Sequence, residues 1–171
     1  MNSQLIVPKK FAAKFALIDE VIDAGLADPP DAQTVEKNWG LYFWLLQLKP
    51  GGKFNSGGRL SKLNFSLGSF VLTFFYWCYY GLYKETLLFS FCMGIISGLV
   101  PDNRFLNMGF SIMVSCIFSS FFTQTLYAKC RLTGQSPKGN LFAAIFGGAG
   151  ALAMIVGLSS LVSTLVYSWL E

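Results

Sequence analysis

The chain has 171 residues, 53% hydrophobic and only 13% charged, a composition too apolar for an ordinary soluble domain and typical of a membrane protein. Its net charge of +4 is small and its basic residues are scattered, which argues against nucleic acid and for a lipid bilayer with anionic headgroups as the partner. Histidine is absent, so bis-histidine haem ligation, imidazole-bound zinc or copper and histidine proton relays are excluded.

In chain order, MNSQLIVPKK lacks the apolar core of a secretory signal. From Lys9 to Leu26, Phe11, Phe15, Ile18 and Ile22 recur at helical spacing with Leu17 and Val21 beside them, predicting an amphipathic helix between Pro8 and Gly25. Lys9, Lys10 and Lys14 lie near its start and Asp19, Glu20 and Asp23 near its end, an order that opposes the helix dipole by a few tenths of a kcal/mol per charge, roughly. Either the lysines face headgroups or an acidic partner, or they form a solvated face that tolerates the mismatch. Pro29 and Pro30 then break the chain, and Asp31 suits the N-cap of a second helix striped by Val35, Trp39, Tyr42 and Leu46. The apolar stretch from Trp39 to Leu48 falls short of the roughly 20 residues that cross a bilayer, so it is expected to lie in the interface, or to pack on the membrane domain, with Trp39, Tyr42 and Trp44 at headgroup level.

The linker Lys49–Lys62 carries Lys49, Lys53, Arg59 and Lys62 with no acid, a pattern that places it in the cytoplasm. Its glycines lack the spacing of a phosphate-cradling loop. Two regions follow: 1–62, cytoplasmic or interfacial helices with a basic linker, and 63–171, a transmembrane helical domain. The latter has four apolar blocks, Leu63–Tyr83, Thr86–Val100, Leu106–Tyr127 and Leu141–Leu170. The fold class is therefore all-α: a multi-pass integral membrane helical protein with three or four membrane segments, preceded by two amphipathic or interfacial helices. The first block is dense in aromatics, with Trp77, Tyr79 and Tyr80 expected at the membrane interface.

Four simple spans starting inside would put Lys129, Arg131 and Lys138 outside, against the positive-inside bias. Either the aromatic block re-enters or lies in the interface, returning the later basic loop to the cytoplasm, or the early basic loop dominates.

From Leu87 to Leu170 every charged residue lies in a connection, which argues against an ion or proton pump. Ser111, Ser115, Ser119, Ser120, Thr123, Gln124 and Thr125 give the third block a polar side, suited to interhelical hydrogen bonds or to a pore lining. Small residues recur at helix-packing spacing: Gly94 and Gly98 in the second block, and two ladders in the fourth, Ala143, Gly147, Ala151 and Ala149, Ala153, Gly157. These ladders pack helices within the chain or meet a membrane protein partner or a second copy. No nucleophile–base pair, carboxylate pair or metal-ligand cluster is present, and Cys78, Cys92, Cys116 and Cys130 form no C-x-x-C; no catalysis, cofactor or metal is expected.

The stretch Lys62–Leu88 resembles the small bacterial membrane proteins of domain-of-unknown-function family 2628: Asn64-Phe65, the aromatics from Phe74 to Tyr80, and the Tyr83-Lys84 turn carry the likeness, with Leu126-Tyr127 to Arg131 similar to a later aromatic-basic stretch. The resemblance implies a bacterial inner membrane protein and no reaction. Two functions stay open: a non-catalytic accessory or structural subunit that binds a partner through its membrane helices and N-terminal helices, or a small transport or pore component with a hydroxyl-lined helix.

Overall fold

A computed structural model describes residues 7–49, 66–100 and 104–170. Among the described residues all regular structure is helical: α1 (Lys9–Asp23), α2 (Ala32–Lys37), α3 (Leu67–Tyr79), α4 (Tyr83–Leu99), α5 (Arg104–Thr133) and α6 (Leu141–Leu170). Helices α5 and α6, 30 residues each, are long and apolar enough to cross a membrane. At 13 and 17 residues, α3 and α4 are below that length. Of the three or four membrane segments read from the sequence, two thus have full spanning length.

One C-terminal motif closes the first three helices. After α1, the Leu26 N–H reaches back to the Val21 carbonyl (3.1 Å) while Gly25 takes φ +70°; after α3, Leu82 reaches Trp77 (3.0 Å) across Gly81 at φ +74°. After α2, Gly40 reaches Val35 (2.8 Å) and the left-handed position falls to Trp39, at φ 61°, where a side chain is strained. At the other end of α2, Asp31 caps as expected: the backbone N–H of Gln33 donates to its carboxylate (3.1 Å) and, with Thr34, holds it below its ordinary pKa.

The helix expected to run on through Trp39–Leu48 does not form. Residues 41–49 form neither helix nor strand, and three of their backbone donors find partners far along the chain: Tyr42 N–H donates to Glu85 Oε1 (2.7 Å), Leu46 N–H to Gln124 Oε1 (2.9 Å) and Lys49 N–H to the Leu26 carbonyl (2.8 Å). Buried amides must be paired, and two buried side-chain acceptors satisfy this strap where no sheet is available.

Helix α3 folds sharply at Thr73 (φ 36°, ψ −108°). Its two halves pack on each other: Trp77 Nε1 donates to Ser69 Oγ (2.8 Å), and Ser69 Oγ donates to the Phe118 carbonyl (3.1 Å). Gly68 permits this, since a Cβ there would lie 2.6 Å from the Tyr76 ring. The tip at Val71–Phe75 reaches the level of Val114 on α5 and Leu152 on α6.

Packing builds outward from this hairpin. Trp77, fully buried, meets Phe118 (5.0 Å), Phe89 (5.7 Å) and Phe122 (5.9 Å) at steep interplanar angles, the arrangement aromatic quadrupoles favour. Helix α1 lays its apolar face on the C-terminal half of α5, with Phe11 edge-on to Tyr80 (5.2 Å) and Phe15 edge-on to Tyr127 (5.2 Å). Asp19, one of the acids that oppose the α1 dipole, accepts from Tyr127 Oη (2.6 Å) and pairs with Arg131. Helix α4 runs alongside α6 in the same direction, so α3, α4, α5 and α6 meet at one end through the α3–α4 turn and the α5–α6 loop.

Candidate functional site

Helix α6 carries both small-residue ladders, and the structure separates them. The inner face meets α3 and α4: Ala151 is buried, a Cβ on Gly147 would lie 2.7 Å from Cys78 Sγ, and Ala143 N–H is capped by Asn140 Oδ1 (3.1 Å). Opposite them, a Cβ on Gly94 would lie 2.7 Å from Leu158 Cβ, and one on Gly98 would lie 2.6 Å from Val162 Cβ and 2.7 Å from the Ser159 carbonyl. The G-x-x-x-G of α4 is therefore used within the chain, and Ser163 Oγ donates to the Gly98 carbonyl (3.1 Å) across the same seam. Ala149, Ala153 and Gly157 are exposed, and among the described residues nothing lies within 4 Å of a Cβ built on Gly157. One ladder is internal; the other faces outward.

A polar layer lies at the bundle end near the α5–α6 loop. Glu85, in the first turn of α4, is 2% exposed. Lys129 Nζ donates to the carbonyls of Gly81 (2.6 Å) and Tyr80 (3.4 Å), the C-terminal carbonyls that α3 leaves free. Glu85 and Lys129 attract one another, and Gln124 completes the layer through the strap. The sequence places Glu85 and Lys129 in polar connections; in the structure both are helical, because α4 starts at Tyr83 and α5 continues to Thr133. The signal that marks Glu85 is a lone acid in a two-residue gap, Lys84-Glu85, between two apolar blocks.

The hydroxyl side of α5 is dispersed. Ser111 Oγ donates to the Asn107 carbonyl (2.9 Å), and Ser119 and Ser120 donate to the Cys116 carbonyl (3.0 and 2.9 Å), all within the helix. Ser115 is half-buried at a groove with Ser97 and Thr73, while Thr123 and Thr125 are fully buried.

The aromatic residues expected at headgroup level divide. Trp39 is 88% exposed. Tyr42 and Trp44 belong to the strap, Trp44 lying over Tyr127 at 5.5 Å. Trp77 and Tyr80 are turned inward, and Tyr79 is half-buried, its carbonyl accepting the Asn140 N–H (2.9 Å). They pack inward because the fold at Thr73 turns this face onto Phe118 and Phe122. Of the basic linker, Lys49 pairs with Asp28 (2.8 Å); Lys53, Arg59 and Lys62 lie outside the described residues. Cys78 and Cys130 are buried and Cys92 and Cys116 exposed, all as free thiols. No family profile, curated protein or solved structure matches the chain.

Proposed function

We propose that this chain is a non-catalytic, multi-pass membrane protein that acts as an accessory or structural subunit, holding a membrane protein partner against the outer face of α6. The observation that carries the reading is the division of α6: its inner ladder is filled by α3 and α4, while Ala149, Ala153 and Gly157 form a second small-residue stripe that is exposed among the described residues. In lipid such a stripe favours a helix, because close packing replaces the hydrophobic effect as the source of association.

In this reading α4, α5 and α6 cross the bilayer and α3 re-enters to its middle, so that the N-terminal region, Lys84 and the Lys129–Lys138 loop share one side. Among the described residues Lys84, Lys129, Arg131 and Lys138 gather at that end, which supports a cytoplasmic N-terminus in a bacterial inner membrane. A pore through the hydroxyl side of α5 draws less support, since Ser111, Ser119 and Ser120 bond within their own helix and Thr123 and Thr125 are fully buried.

A photocrosslinker at Gly157 tests the reading in membranes of the native host. The expected result is one adduct of defined mass from Gly157 and none from Gly94. Adducts with lipid alone from Gly157, and recovery of the chain without a protein at fixed ratio, would contradict it.

A further inference from the structure

The α3–α4 turn and the loop from Thr133 to Leu141 enclose a cavity of about 510 Å3, within the size range of small-ligand sites. Its wall holds two ammonium groups, Lys129 and Lys138, with the side chains of Tyr83, Thr133, Gln135 and Ser136, and none of its lining residues is acidic. Lys129 is fixed in place by the Gly81 and Tyr80 carbonyls, which occupy two of its three donors and leave one. Glu85, the acid that acts on Lys129, does not line the cavity, and its Oε1 is committed to the Tyr42 N–H. Lys138 is exposed at the rim. One fixed and one exposed lysine around an acid-free hollow, with Tyr83, Gln135 and Ser136 as further lining residues able to donate, suit a compact anion with several acceptor oxygens.

We propose that this cavity binds a phosphate group. The cavity lies where α5 ends and α6 begins, the two helices of spanning length, which is the level of headgroups if both cross. A lipid phosphate is then the source at hand, and this assignment of source rests on the membrane reading above. The phosphate chemistry of the pocket does not.

The test uses the full chain in nanodiscs of phosphatidylcholine with and without phosphatidylglycerol, with retained lipid counted by native mass spectrometry, beside a calorimetric titration of glycerol phosphate in detergent. Expected is selective retention of phosphatidylglycerol, reduced about tenfold by Lys138→Glu and about twofold or less by Lys37→Glu, an equal charge change on exposed α2. Lys138 holds no element together, so the first variant folds; Lys129→Gln is a second probe. Binding of glycerol phosphate with the same Lys138 dependence, without lipid selectivity, would assign the phosphate to a soluble ester. Neither binding, or equal effects of the two charge reversals, would overturn the site. A chain that inserts into discs without selectivity for either probe defeats the site alone; one that stays out of discs defeats the membrane reading, and the glycerol phosphate titration then decides the site.

Discussion

A methyl group placed on either side of α6 should have opposite effects. In Gly98→Ala the new Cβ would lie 2.7 Å from the Ser159 carbonyl, a backbone atom, so α4 and α6 must separate by about 0.7 Å to restore ordinary contact. Overpacking of this kind costs about 1–3 kcal/mol. Replacing a helical glycine by alanine returns about 1 kcal/mol of propensity, so the expected net loss is about 0–2 kcal/mol. Gly157→Ala meets nothing within 4 Å and keeps only the propensity term, a gain of up to about 1 kcal/mol. The propensity gain is common to both, so the two variants should differ by the overpacking cost, about 1–3 kcal/mol, when unfolded in mixed dodecyl maltoside and dodecyl sulfate micelles, followed by the fluorescence of buried Trp77. Equal stability of Gly98→Ala and Gly157→Ala would refute the division of α6 into an inner and an outer face.

Three further outcomes follow from the same geometry. Ser69→Ala leaves the buried Trp77 indole N–H without its acceptor and should destabilise by about 1–3 kcal/mol in the same assay; an unchanged midpoint would mean that the fold at Thr73 does not depend on this bond. Glu85→Ala should speed hydrogen exchange at the Tyr42 amide about tenfold or more, whereas Glu85→Gln, which retains a carbonyl acceptor, should leave it nearly as in the parent; equal exchange in both would detach the strap from Glu85. The Asp31 carboxylate is held below its ordinary pKa, so the cap of α2 is fully present above the unfolded value near ~3.9 and is lost as pH falls through the lower folded value; Asp31→Asn should remove that dependence in the Gln33 and Thr34 amide shifts.

Much of the helical framework is legible in the sequence, for local reasons. Pro8 and Gly25 bracket α1, Asp31 caps α2, and the uninterrupted apolar run from Leu141 sets α6. The strap is not legible, because the acceptors that make a non-helical backbone favourable are 43 and 78 residues away, and the Val35, Trp39, Tyr42, Leu46 spacing imitates a helix. The fold in α3 is hidden too: it occurs at a β-branched threonine, with no proline or glycine at the bend, and the nearest sign is Gly68, whose purpose becomes evident only against the Tyr76 ring. The small-residue ladders can be found by spacing alone. Which of them faces outward is set by where α3 and α4 pack, a tertiary fact that spacing does not encode.

The arrangement of the chain in the bilayer is tested most directly by single cysteines at Lys49, Gln135 and Ser168 in a variant lacking the four native cysteines, labelled with a membrane-impermeant maleimide on spheroplasts and on inverted vesicles. Expected is modification of the Lys49 and Gln135 positions from the cytoplasmic side and of the Ser168 position from the opposite side, as a re-entrant α3 followed by three crossings requires. Modification of the Lys49 and Gln135 positions from opposite sides would show that the aromatic segment crosses, and would contradict the re-entrant arrangement.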